Sequence, residues 1–351
     1  MKWPTLQASR FKYFTAMRIL VFMLVLCTVQ FPLFAQKEEI KKILTDGVAL
    51  FEEGKYEAAI AEYEKVFKIE KDNTAALYEI GYAYYALKDY DNALKYSDKV
   101  IKQDKDNLLE AFNLKGNTLD DIGKSDKAIK VYEQGIKKFP DEYLLHFNLG
   151  ISHYRLGEYK EAEEALQAAI SIKTIHNSSH FYLGKLKADT GDRVPSILAL
   201  YFFLLLEPNG ERAGIAYDLL QKELVLGVEK KDDGNATINI SQRQLESEYS
   251  PVEMILGLLE TTANQLPAEL QTPDGLFAYK TDIIFGSLAE SKKDNGGFYW
   301  GLYVPIFTKI KEAKHTATFC HYISQSRSET AAKWVEDNAA EVDALFNLLN
   351  E

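Results

Sequence analysis

Cysteine is almost missing from this chain: Cys27 and Cys320 are the two among 351 residues. Cys27 lies in an N-terminal apolar run, so a processed chain would keep Cys320 alone and could form no internal disulfide. Histidine is scarce too, with six residues. His176 and His180 stand four apart, a spacing that can chelate zinc, but no third ligand follows and both read as packing or solvated side chains. His146 and His153 read as core. His315, Cys320 and His321 are close in sequence, yet nothing marks a base, an orienting group or an oxyanion site, so Cys320 reads as a buried thiol. The chain has no glycine-rich phosphate loop, no HExxH and no GxSxG. These absences predict a protein with no metal, no cofactor and no enzymatic activity.

Acidic residues are absent from the first 35 positions, where Lys2, Arg10, Lys12 and Arg18 precede an apolar run from Ile19 to Ala35. A basic start, an apolar stretch and a small residue at its end predict a signal peptide cleaved after Ala35. Met17 opens a well-proportioned signal by itself, so the start at Met1 or Met17 stays open. The run is 17 residues long, at the lower limit for crossing a bilayer, which leaves an uncleaved anchor as the alternative. Leu26 before Cys27 disfavours a lipoprotein site. Losing residues 1–35 removes four cations and no anion and takes the net charge from −11 to −15. Such a surface repels nucleic acid and anionic lipid, so membrane contact is expected only through an uncleaved signal.

Against that background glycine recurs at Gly47, Gly81, Gly116, Gly150 and Gly184, in steps of 34 or 35 residues. Twelve residues after each stand Ala59, Ala93, Ala128, Ala162 and Ser196. Seven residues after four of them stand Gly54, Gly123, Gly157 and Gly191, with Lys88 in the second repeat. Small residues let two helices approach closely, apolar residues at three- and four-residue spacing cover their buried faces, and the mid-repeat glycine ends the first helix. The pattern over roughly Lys41 to Asn209 resembles the tetratricopeptide repeat, whose 34-residue unit is a helix-turn-helix. It departs locally: no tryptophan opens a repeat, Ser125 and Arg193 replace the turn-flanking aromatic, and only Pro140 and Pro208 hold the terminal proline position.

The resemblance implies an all-α fold, a right-handed superhelix of helical hairpins, with ligand contacts mostly from first helices. In this register the groove is lined by Tyr78, Tyr82, Tyr85, Asn113, Asn117, Asp120, Phe147, Tyr154, Phe181 and Lys185; packing between repeats is the competing reading of the aromatics. Asn117 and Asn148 match the two asparagines of the family's carboxylate clamps. The cations of that clamp are missing: Asn113 stands where a lysine is expected, and Ser178 and Tyr182 where a lysine and an arginine are. Without charge-assisted bonds, a peptide backbone is the expected ligand rather than a C-terminal carboxylate.

The repeats are placed at about 40–73, 74–108, 109–142, 143–176 and 177–210, with a capping helix at 211–226. Ile197 to Leu206 carries no charge, so this helix must be covered on several sides. Residues 227–250 read as a linker; Ala236 to Ser241 alternates like a strand but has no evident partner. Residues 251–351 read as a helical C-terminal domain, with helices at Pro251–Asn264, from Pro273 toward Ala289, at His315–Ser324 and one long helix at Glu329–Leu349. The aromatic stretch Asn295–Phe307 reads as a buried face or, alternatively, a partner patch. The expected function is an exported, non-enzymatic scaffold or adaptor that binds a protein or peptide in the periplasm of a Gram-negative bacterium, within a cell-envelope assembly. The alternatives are an enzyme with its site in 251–351 and a structural subunit of an envelope or secretion complex.

Overall fold

The computed structural model describes residues 34–230, 236–292 and 295–350. The signal segment lies outside the described residues except for Phe34 and Ala35. The described chain is all-α apart from one small hairpin. Five helical hairpins come first: α1 (34–52) with α2 (Tyr56–Tyr63, extended by a 3-10 turn, Glu64–Lys68), α3 (Thr74–Ala86) with α4 (Tyr90–Gln103), α5 (Leu108–Asp121) with α6 (Ser125–Lys138), α7 (Tyr143–Leu156) with α8 (Tyr159–Ile172), and α9 (Asn177–Asp189) with α10 (Arg193–Leu206). Then come α11 (Glu211–Val225), β1 (Val228–Lys230), β2 (Ala236–Ile238), α12 (Gln242–Leu245), α13 (Ser250–Thr262), α14 (Pro273–Ser291), α15 (Phe298–Glu312), α16 (Thr316–Ser324), α17 (Glu329–Asp337) and α18 (Ala339–Asn350).

Two glycine positions per repeat shape the hairpins. Gly54, Gly123, Gly157 and Gly191 stop the first helix with φ between 73° and 76°, and Lys88 takes the same left-handed conformation at φ 60°. Four of the five key glycines make room for a residue sixteen positions on; Gly81 faces Tyr96 and Leu114 instead. A Cβ on Gly116 would stand 2.3 Å from the Tyr132 ring, one on Gly47 equally close to Tyr63, and one on Gly150 or Gly184 within 2.9 Å of Leu166 or Leu200. The small residues twelve positions on, from Ala59 to Ser196, are fully buried. The sequence pattern reveals the glycine–alanine pair, whereas the sixteen-residue partner emerges from the packing.

The described residues divide into two compact units, one up to Gly135 and the other from Ile136 on. The first holds repeats one to three up to the middle of α6. Its cores are small and local, such as Ala59, Ile60, Tyr63, Ile80 and Ala83. The second unit holds the last two repeats and all that follows. Its core is built around α10, where every residue from Arg193 to Leu205 is buried. The helix has no charge after Arg193, so water on any side would be costly, and α9, α11, α13, α15 and α16 all pack against it. Tyr201 is the hub. Its ring lies 5.5–6.3 Å from Phe277, Phe285, Phe307 and Phe319, and its hydroxyl hydrogen-bonds Thr281 at 2.8 Å. The expected cover, 211–226, is present as α11, but helices more than 50 residues further on supply most of the aromatic packing. Tyr299, Trp300, Tyr303, Val304 and Phe307 of the aromatic stretch are buried in this core.

Two expectations of local structure are corrected. The strand within Ala236–Ser241 does have a partner: Ala236–Ile238 pairs antiparallel with Val228–Lys230, which the charged sequence at that point concealed. The predicted helix Glu329–Leu349 is two helices. Asn338 leaves helical geometry at φ −123°, ψ 38° and donates its side-chain amide to the Trp334 carbonyl at 2.8 Å, capping α17.

Candidate functional site

The first-helix face of the first unit carries a row of aromatic rings. Tyr78, Tyr82 and Tyr85 are spaced four and three along α3, which puts them on one side of the helix. Tyr78 and Tyr82 stack with centroids 6.0 Å apart at 12°, and Tyr82 and Tyr85 at 6.4 Å and 14°. Phe51 of α1 continues the row against Tyr82 at 5.2 Å and 22°. Tyr56 and Tyr90, the turn-flanking aromatics of the repeat, tilt against Phe51 and Tyr85 and close its ends. Tyr82 is 40% exposed and the other members are half-buried. Phe51 stands four residues past Gly47, the register position of Tyr85, whereas Tyr56 and Tyr90 are members that groove register does not select; their signal is the repeat position of the turn-flanking aromatics.

The neighbouring helix α5 adds polar groups at four-residue spacing, Asn113, Asn117 and Asp121. The Tyr85 hydroxyl donates to Asp121 at 2.6 Å, tying α3 to α5. Asn117 accepts from the Tyr132 hydroxyl at 2.6 Å, and Asn113 donates to the Leu109 carbonyl at 3.3 Å. Asp120 is buried. Burial raises the Tyr78 hydroxyl, reinforced by the Glu79 and Glu110 carboxylates, and burial with the Asp121 bond raises Tyr85. The phenols therefore stay protonated.

In the second unit, Phe147 packs edge-on against His176 at 4.9 Å and Tyr182 at 5.8 Å. The Tyr154 hydroxyl donates to Asp189 and accepts from Lys185 Nζ at 2.7 Å; that bond raises the lysine's pKa. Tyr154–Asp189 repeats the geometry of Tyr85–Asp121. Each joins a tyrosine four past one key glycine to an aspartate five past the next, a pairing visible in the sequence once the register is known. Phe181 is buried against Phe203 at 5.1 Å. Asn148 is half-buried, and it and Asn117 fall one in each unit. Beside Ser178, a cation arrives that the sequence register did not foresee: Arg212 of α11 donates to the Ser178 hydroxyl at 2.9 Å. Its charge is already matched by Glu207.

The second unit also holds a polar cavity of about 370 Å³ whose walls include Glu163, Lys187, Asp192, Arg193, Arg243, Tyr249, Glu253 and Tyr299. Lys187 pairs with Glu163 at 2.5 Å and Asp192 at 2.8 Å, and Arg243 also pairs with Asp192. Arg193 and Glu253, each 2% exposed, face each other at 3.5 Å, while Arg193 donates to the Glu223 and Leu224 carbonyls at 2.6 and 2.8 Å. Tyr299 donates to Glu163 at 2.8 Å. Burial lowers Arg193 and raises Glu253. Every cation in these walls is committed to a carboxylate, an arrangement that braces α10 against α8, α9, α12 and α13.

The histidines are held structurally. His180 is buried; its Nε2 donates to the Thr174 carbonyl and its Nδ1 accepts from the Tyr303 hydroxyl, both at 2.7 Å. This neutral form suits its pKa, pushed down to about 4 by burial. His176 bonds Ser179. His146 and His153 are half-buried rather than core, bonded to the Pro140 carbonyl and to Glu158. Cys320 is buried, and burial pushes its thiol up to about 12. Among the described residues no cluster of three His, Cys, Asp or Glu side chains is arranged to hold a metal ion.

Stacked helical hairpins with recurrent small-residue contacts and polar links between successive repeats define a helical-repeat interaction scaffold. Residues 50–117 and residues 113–177 each match a tetratricopeptide repeat family, so the chain carries tetratricopeptide repeats over residues 50–177. Among solved structures it is similar to MamA 41-end from Desulfovibrio magneticus RS-1, at 24% identity and a TM-score of 0.43 over 48% of this chain and 94% of that one. It is similar to TTC0263, a thermophilic TPR protein of Thermus thermophilus, at 19% identity and 0.43 over 52% and 99%. It is also similar to YrrB, a TPR protein with an unusual peptide-binding site, at 18% identity and 0.41 over 50% and 90%.

Proposed function

We propose that this protein is an exported, non-enzymatic adaptor that binds a polypeptide partner on the first-helix face of its repeats, within a cell-envelope assembly. The observation that carries the reading is the aromatic row Tyr78–Tyr82–Tyr85 with Phe51 stacked on Tyr82. Tyrosine supplies large contact area with few rotors and a polar edge, and a partly open row of such rings at the surface of a charged unit is suited to partner contact. Asn117 supports it: its side-chain carbonyl accepts from Tyr132, which leaves the amide N–H groups, outside that bond, as donors that a peptide carbonyl could use. The basic, acid-free start and the apolar run to Ala35 support export, and the net charge of −15 that follows cleavage supports a soluble periplasmic form.

The test is co-purification from the native host. The processed chain is expected to begin near Gln36 and to bring down a stoichiometric partner. Changing Tyr78 and Tyr82 together to Ala is expected to release that partner while leaving the helical circular dichroism signal unchanged. Retention of the partner by the double variant would sink the groove reading, and an intact N-terminus in the cytoplasm would sink the export reading.

A further inference from the structure

The partner segment can be specified further, on the reading that the first-helix face of the first unit is the docking surface. Residues 36–135 carry 21 carboxylates and 16 lysines and no arginine. The acids are not evenly spent. Lys115 is paired away from the face, to Asp98 at 2.6 Å. Glu79 and Glu110 act electrostatically on Tyr78, and Asp121 receives the Tyr85 hydroxyl. Among the described residues none of these three carboxylates has a lysine or arginine partner. The α5 position where a charged clamp would carry a lysine for a carboxylate ligand holds the neutral Asn113 here, followed one turn later by the neutral Asn117.

The rings add a second, independent preference. Centroids 5.2–6.4 Å apart at small angles describe offset stacking, which leaves part of each ring open. An open tyrosine face or edge flanked by carboxylates attracts a cation, and arginine or lysine stems pack on such rings with their apolar carbons. Tyr85 donates a hydrogen bond to Asp121, so its oxygen is enriched in negative charge and is a better acceptor for a further donor. An anionic segment would meet the Glu79, Glu110 and Asp121 carboxylates with only the neutral amides of Asn113 and Asn117 to offset them.

We propose that this face selects an extended basic polypeptide segment, its lysine or arginine side chains lying along the Tyr78–Tyr82–Tyr85 row and its neighbour Phe51, between Glu110 and Asp121. The charges steer encounter and exclude acidic partners, and the rings supply the contact area.

Fluorescence anisotropy on the full processed chain tests this with three fluorescein-labelled twelve-residue peptides, alternating serine with lysine, with glutamate or with glutamine. The lysine peptide is expected to bind at least ten-fold more tightly than the glutamine peptide, and the glutamate peptide not at all. Tyr82→Ala and Asp121→Asn are each expected to weaken lysine-peptide binding at least five-fold. Asp126→Asn, an equal loss of charge on α6, is expected to change it less than two-fold. Equal responses to Asp126→Asn and Asp121→Asn would overturn the proposal, since binding would follow net charge alone. Equal affinity for the lysine and glutamine peptides, both lost in Tyr82→Ala, would overturn the basic preference while leaving the docking face standing. No binding of the lysine peptide by a chain that still captures its native partner through Tyr82 would overturn it as well.

Discussion

At the scale of single residues, glycine does two unlike jobs in each repeat, and substitution separates them. Gly116→Ala drives a methyl group to 2.3 Å from the Tyr132 ring, whose hydroxyl is held by Asn117. Overpacking of this kind costs about 1–3 kcal/mol, read as a lowered urea midpoint. Gly123→Ala meets nothing within 4 Å, and its cost is conformational, about 1 kcal/mol for a φ of 73°. Lys88 is the converse case. It already holds φ 60° with a side chain, so Lys88→Gly is expected to raise stability by about 0.5–1 kcal/mol. His180 sets a pH dependence. Its folded pKa of about 4 lies below the unfolded value near 6.5, so the unfolded chain takes up the proton first as pH falls. Its contribution, about 3 kcal/mol, is complete above pH 6.5 and is lost progressively toward pH 4. Urea titrations across that range should show this slope in the wild type, and a shallower one in His180→Gln.

At the scale of the element, α10 departs most from a repeat helix. A second helix of the array needs an apolar face toward its own hairpin and its neighbour, but α10 is apolar all round and opens with the buried pair Arg193–Glu253. Removing one partner leaves a charge buried, so Arg193→Ala is expected to cost about 3–5 kcal/mol. Changing both, Arg193→Met with Glu253→Leu, should recover most of that loss, because two desolvated charges are replaced by packing volume. Thermal melts of the single and double variants check this. The helix itself was legible from its uncharged run. Its aromatic cage was not, because Phe277, Phe285, Phe307 and Phe319 are distant in sequence and nothing local in Ile197–Leu206 says which helices will cover it.

At the scale of the molecule, the two units differ in how cohesion is distributed. The first is held by small successive cores, in keeping with a repeat array in which neighbours contact neighbours. The second has one continuous core running from Ala162 through α10 to Leu345. A chain ending at residue 250 would expose the face of α10 that α13–α16 cover. It is expected to lose the fourth and fifth repeats as well, giving aggregation or a molten state with retained far-ultraviolet signal and no cooperative melt. A chain of residues 136–351 is expected to melt cooperatively. A sharp unfolding transition for the fourth and fifth repeats in the shorter chain would contradict a shared core.

The sequence by itself determined what recurs: the 34-residue hairpin, its glycine turns, the buried small residues and the face on which Tyr78, Tyr82 and Asn117 stand. Those features follow from helical periodicity and backbone conformation, which act over a few residues and repeat with the chain. Only the tertiary structure decided which groups meet across long separations. It brought Phe51 into line with the α3 tyrosines, joined Tyr85 to Asp121, carried Arg212 to Ser178, paired two three-residue strands and closed the C-terminal helices around Tyr201. Those contacts depend on shape and burial, to which cysteine scarcity, charge and spacing are blind.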